Sequence, residues 1–208
     1  MNKLALTLLL LASAPLAALA SPATNLVSNG SFETNLMSPG TWGVGSNLTG
    51  WTGGSYGIEL RDNVDGTASD GRNFVELDTT ANSSMSQTIS TVLGQWYLLT
   101  FDYADRVGTA ASTDGIAWSF GGAGGVIEGS GSDAWQHFST RVQADSSRMT
   151  LNFSATGLSD SMGTSLDNVS VSASAVPEPA GITLVLGALG AAAAVTRRRQ
   201  RRTEAQAR

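Results

Sequence analysis

Between positions 24 and 175 the chain alternates apolar and polar residues with a period of two, and no stretch carries the three-to-four spacing of an amphipathic helix. In WYLLTFDYADR, Tyr97, Leu99, Phe101 and Tyr103 fall on one side, with Leu98, Thr100 and Asp102 opposite. Met149, Leu151, Phe153 and Ala155 alternate in the same way with Arg148, Thr150, Asn152 and Ser154. Shorter runs of this kind recur at SYGIELR, NFVELD, SMSQTIS, GIAWSF, WQHFSTRVQ and LDNVSVS, separated by clusters of Gly, Asn, Asp and Ser. Roughly eight to ten short strands joined by polar turns predict an all-β, antiparallel β-sandwich. GGAGG near Gly121 predicts a hairpin or bulge, because no helical pattern follows it.

The two ends break this pattern. MNKLALTLLLLASAPLAALA has one positive residue, an apolar core and an Ala-Leu-Ala exit, which describes a secretory signal peptide over residues 1–20. At the other end, residues 180–196 are free of charge, and a helix rising about 1.5 Å per residue would reach roughly 25 Å, close to the thickness of a bilayer's hydrocarbon core. Arg197, Arg198, Arg199, Arg201 and Arg202 follow at once, a cluster that holds a C-terminus on the cytoplasmic side. Before the apolar stretch, Pro177 and Pro179 keep Val176, Pro177, Glu178 and Pro179 extended and short of backbone donors. Such a segment joins neither a sheet nor a helix interior and stays open to an enzyme at the membrane surface.

Charge and composition narrow the choices further. The chain carries 12 Lys and Arg against 17 Asp and Glu, a formal charge of -5. Lys3 and six arginines beyond Thr196 belong to the ends, so residues 21–175 keep 5 basic against 15 acidic side chains, or -10. That surface repels nucleic acid. Cysteine is absent, which excludes disulfides, thiol catalysis and thiolate metal sites. The pattern Gly53-Gly54-Ser55-Tyr56-Gly57 matches a nucleophile elbow in letters only, since no helix is predicted after it, and His137, the sole histidine, falls in a strand-like run. No catalytic residue is assigned, and the chain is read as a non-enzyme. DNVDGTASDG lacks the ligand spacing of an EF-hand and reads equally as an acidic turn.

One carboxylate stands out in this reading. In SLDNVSVSAS, Val169 and Val171 face the core, and an unbroken period of two turns Asp167 inward with them, where a buried carboxylate needs a partner. Glu33 follows an Asn-Gly turn and Phe32 near the start of the domain. If the first and last strands are neighbours, Glu33 and Asp167 close around a calcium ion; the alternative is that Asp167 accepts backbone hydrogen bonds and Glu33 is solvated.

Two resemblances follow from these motifs. The order Pro-Glu-Pro, apolar helix and arginine cluster over 176–202 resembles the PEP-CTERM sorting signal, which implies processing by exosortase, transient residence in the inner membrane and delivery by the Sec route to the cell surface or surrounding matrix, where such proteins accompany exopolysaccharide. The ordered set NLVSNGSFE, NFVELD, SMSQTISTVLGQWYLLTFDYADR and SLDNVSV resembles the galactose-binding-like jelly-roll domains of carbohydrate-binding modules, of plant cell-wall proteins and of bacterial surface proteins with interchangeable anchors. In the carbohydrate-binding relatives the matching Glu and Asp help hold a structural calcium, which implies that role for Glu33 and Asp167. Sugar recognition requires flat apolar surfaces flanked by groups that satisfy hydroxyls. Trp42 and Tyr56, in a Gly-rich segment, are the expected ligand contacts; Trp51 and Trp118 are further candidates, and Glu59 and Glu76 either bind hydroxyls or face water. The expected function is noncovalent association with extracellular polysaccharide, with a protein-binding adhesin as the alternative and a glycan hydrolase further behind.

Overall fold

The computed structural model describes residues 24–174. The expected signal peptide at 1–20 and sorting segment at 176–202, with Val176, Pro177, Glu178 and Pro179, lie outside the described residues. Two antiparallel six-stranded sheets pack face to face. The first holds, in spatial order, β1 (Trp42–Gly45), β4 (Ile58–Asp62), β5 (Asn73–Glu76), β12 (Ser165–Ala173), β7 (Trp96–Ala104) and β10 (Gln136–Gln143). The second holds β2 (Asn47–Leu48), β3 (Trp51–Gly53), β6 (Ser84–Ser90), β11 (Arg148–Ala155), β8 (Gly115–Phe120) and β9 (Ala123–Glu128). The strands outnumber the sequence expectation because β2 and β3 are too short to show a period.

Alternation places the core as expected. Tyr97, Leu99 and Phe101 from the first sheet meet Met149, Leu151 and Phe153 from the second, all at most 3% exposed. Phe101 stacks on Phe138 at 4.6 Å between ring centroids and meets Phe153 edge-on at 5.0 Å. Burial of this apolar surface, at roughly 25 cal/mol per Å2, holds a domain that has no disulfide. The glycine pair after β8 makes the expected hairpin: Phe120 pairs with Ala123 across Gly121, whose φ of 59° suits a residue without a Cβ.

Residues 25–30 run beside β12, where Leu26 N–H donates to the Val171 carbonyl (2.8 Å) and Val169 N–H to that of Gly30 (2.9 Å). The Asn25 amide side chain spans both Val169 and Val171. The two ends of the domain are therefore neighbours, as the sequence reading required. The orientation of Asp167 differs from expectation. Asp167 pairs with Asp102 and Val171 with Leu99, but the register shifts by one residue between them, at Asn168 with φ 50°. This β-bulge breaks the period of two. Leu166, Val169 and Val171 point into the core, while Asp167 turns to the opposite face of the sheet and is buried there.

Candidate functional site

The outer face of the first sheet is unusually charged for buried surface. Cross-strand partners share a face, so Trp42, Arg61 and Phe74 form one row and Val44, Glu59, Glu76 and Ser165 form the next. Glu59 is 5% exposed, Arg61 1% and Glu76 0%. They are tied together: Arg61 Nε donates to Glu59 Oε1 at 2.7 Å, and Nη2 reaches Glu59 Oε1 at 2.7 Å and Glu76 Oε2 at 3.0 Å. Arg106, from the loop after β7, adds Nη1 to Glu76 Oε1 at 3.2 Å and Nη2 to Asp65 Oδ2 at 3.0 Å. Burial pushes the Glu76 carboxyl up to about 8, against the pull of the Arg61 and Arg106 guanidinium groups.

Glu59, Arg61, Asp65 and Arg106 of this network line a hollow of about 280 Å3 together with Trp42, Val44, Thr79 and Thr80. Trp42 is 58% exposed, on the edge strand β1. A planar indole next to fixed donors and acceptors is the combination that holds a sugar ring: its face takes the apolar side of the ring and the polar groups take hydroxyls. Tyr56 is half exposed but does not line the hollow; its carbonyl accepts the Thr79 hydroxyl at 2.7 Å. Trp51 is core, packed against Phe32 and Phe153 with its Nε1–H on the Asn29 carbonyl at 3.1 Å. Trp118 is partly buried against the core and packs on Phe138.

Sequence reasoning left open whether Glu59 and Glu76 face water, and they do not. It passed over Arg61 and Arg106. The signal for Arg61 was present, since Glu59 and Arg61 stand two apart in a strand-like run and must share a face. Nothing local pointed to Arg106 or Asp65, which reach the site from loops.

A second cluster lies further along the same face. Asp102 accepts from the Ser69 hydroxyl at 2.6 Å and the Asn168 amide at 3.0 Å, and meets His137 Nδ1 at 2.6 Å. Burial works to raise the Asp102 carboxyl, but these hydrogen bonds outweigh it and hold the group below its usual range. Here the carboxylate stands between serine and imidazole, whereas nucleophilic catalysis requires the imidazole between the other two. The arrangement organises the loop and does not activate Ser69. Ser55 lies in the turn between β3 and β4, and a strand follows it rather than the helix a nucleophile elbow requires.

Glu33 and Asp167 do converge, on residues 69–73. Asp167 Oδ2 accepts the Ser69 and Asp70 amides, each at 2.8 Å, and Oδ1 accepts that of Asn168 at 2.6 Å. Glu33 Oε1 accepts the Arg72 amide at 2.7 Å and that of Asn73 at 2.6 Å. A calcium ion takes six to eight oxygen ligands, and amide N–H groups already point their positive ends at three of the four carboxylate oxygens, Asp167 Oδ1 and Oδ2 and Glu33 Oε1. This donor set does not fit a calcium ion shared between Glu33 and Asp167. Burial nonetheless raises the Asp167 carboxyl to about 7, although the amides of Asp70, Asn168 and Ser69 pull it down. Among the described residues no group of three or more His, Asp and Glu is placed to hold a metal.

Two antiparallel sheets packed in this order define a jelly-roll β-sandwich of the kind seen in carbohydrate-binding modules. TmCBM61, solved in complex with beta-1,4-galactotriose, aligns with a TM-score of 0.51 at 19% identity over 73% of this chain and 100% of that one. The enzymatically active domain of tailspike protein 4 from bacteriophage CBA120 aligns with a TM-score of 0.51 at 16% identity, over 72% of this chain and 21% of that one. These likenesses establish the fold. The chain belongs to the family described as protein of unknown function (DUF642), whose sequence profile matches residues 25–172. No curated protein sequence matches it.

Proposed function

We propose that this is an exported, non-catalytic protein that binds extracellular polysaccharide through the outer face of its first sheet. The observation that carries the reading is Trp42, 58% exposed in a hollow that it lines together with the buried Glu59–Arg61 pair, which Glu76 holds from behind. Exposed indole beside prearranged charges has no role in holding the sandwich together, because the core is complete without it. The likeness of the fold to TmCBM61, whose structure holds a galactotriose, supports the same reading. Tyr56 adds a second exposed ring on the loop behind Thr79. Delivery to the cell surface or matrix rests on the sequence: the export signal at 1–20, then Val176, Pro177, Glu178 and Pro179, an uncharged stretch and the arginine cluster, which together suit exosortase processing after a transient stay in the inner membrane.

A glycan array tests the binding. Retention on at least one polysaccharide, lost in Trp42→Ala with the fold unchanged by circular dichroism, is the expected result; no retention on any glycan removes the proposal. Mass spectrometry of the protein recovered outside the cell tests delivery. The expected polypeptide starts near Ser21 and ends near Pro177–Pro179, whereas a full-length chain in the inner membrane argues against sorting.

A further inference from the structure

Within the buried network Arg61 is almost fully engaged. Its Nε and Nη2 are held by Glu59 and Glu76, and its side chain is 2% exposed. Nη1 has no hydrogen-bond partner although it is buried. A buried guanidinium N–H without an acceptor is costly, and the hollow is where an acceptor can arrive. Asp65 Oδ2 lies 3.7 Å from Nη1, beyond hydrogen-bonding range, on a side chain that is 50% exposed. That oxygen already accepts from Arg106 Nη2 at 3.0 Å and has a further lone pair to offer.

Resting on the polysaccharide reading above, we infer that this site selects uncharged sugar residues over uronates, with one ring hydroxyl bridging Arg61 Nη1 and Asp65 Oδ2. A hydroxyl accepts from Nη1 through its oxygen and donates its own hydrogen to Asp65, so both groups are satisfied at once. A uronate carboxylate cannot do this. Two-point recognition of a carboxylate uses a pair of guanidinium nitrogens, and Glu59 and Glu76 already occupy Nε and Nη2. An ionised carboxylate also has no hydrogen to give Asp65, whose own charge it would then face.

The experiment uses isothermal titration of the mature secreted protein with paired oligosaccharides that differ only in oxidation at C6: glucan and glucuronan, galactan and galacturonan, mannan and mannuronan. In the pair that binds, the neutral member is expected to bind about tenfold tighter or more, a difference near 1.4 kcal/mol. Asp65→Asn, at a half-exposed position, removes the charge and supplies an N–H donor, and narrows the gap to within about threefold by weakening the neutral member and strengthening the acidic one. Equal or tighter binding of the uronate by the unmodified protein, or an unchanged ratio in Asp65→Asn, overturns the selectivity while leaving polysaccharide binding in place. Binding to neither member of any pair instead removes the polysaccharide reading, and this inference with it.

Discussion

Glu33 and Asp167, 134 positions apart in the chain, grip the same loop from two sides: Asp167 Oδ2 takes the amides of Ser69 and Asp70, and Glu33 Oε1 those of Arg72 and Asn73. Four backbone donors, three on the connection between β4 and β5 and one at the first residue of β5, are thus answered by carboxylates from the first and last parts of the domain. Gly71, between the two sets, has φ 75° and lies where a Cβ would come within 2.5 Å of Glu33 Oε1, so only glycine lets the loop pass.

This arrangement predicts what the removal of each partner does. Asp167→Ala leaves two loop amides without their acceptor and is expected to lower unfolding stability by about 3 kcal/mol in urea. Chelation should leave the midpoint of the unmodified protein in place. A midpoint that rises with millimolar calcium, and no longer does so in Asp167→Ala, would put a cation where the amides now stand.

Stability should fall as the solution becomes alkaline. Glu76 ionises in the folded protein near 8, against an ordinary value of 4.5, because burial outweighs Arg61 and Arg106 and Glu59 adds its repulsion. A raised carboxyl favours folding fully below its unfolded value, and that contribution is lost as pH rises through the folded one. Asp167, raised to about 7, acts in the same direction. Asp102, held low, acts oppositely and only at acid pH. Unfolding free energy is therefore expected to drop between pH 5.5 and pH 8.5, by at most about 1.4 kcal/mol per pH unit per group, and the melting midpoint with it. Glu76→Gln should flatten the slope; a midpoint that is level or rising in the unmodified protein refutes the assignment.

Much of this was legible in the sequence. The alternation of Tyr97, Leu99 and Phe101 against Met149, Leu151 and Phe153 gave the sandwich and its core, because strand geometry converts a period of two directly into two faces. The neighbouring ends entered only as a condition, because a period of two fixes faces and says nothing about which segments lie side by side. The facing of Asp167 was not legible: a single left-handed residue at Asn168 shifts the register, and asparagine is common enough in turns and strand ends to carry no signal on its own. The hollow was half legible. Glu59 and Arg61 share a face by spacing, but their burial depends on Arg106 and Asp65, which no periodicity connects to them.

The tryptophans should separate cleanly. Trp51, 2% exposed, fills the space between Phe32 and Phe153, and Trp51→Ala is expected to cost about 3–5 kcal/mol. Trp42→Ala should stay within about 0.5 kcal/mol of the unmodified protein in the same denaturation experiment, since most of its side chain is already in water. A large loss on removing Trp42 would make it a packing residue and weaken its assignment as a sugar platform.

The bulge at Asn168 ties the fold to the site. Its left-handed conformation, φ 50°, costs a β-branched side chain about 1–2 kcal/mol, while glycine adopts it freely. Asn168 also donates from Nδ2 to Asp102 at 3.0 Å, a bond that both substitutions lose. Asn168→Gly is therefore expected to cost about 1 kcal/mol and Asn168→Val about 2–3 kcal/mol, read as the shift in urea midpoint. The consequence reaches the hollow, because the bulge aims Asp167 at Ser69 and Asp70, and the same loop carries Asp65 to its place beside Arg61. Asn168→Val should then weaken glycan retention more than Asn168→Gly does. Equal tolerance of the two substitutions would mean that the register shift is held by the core contacts of Val169 and Val171 instead.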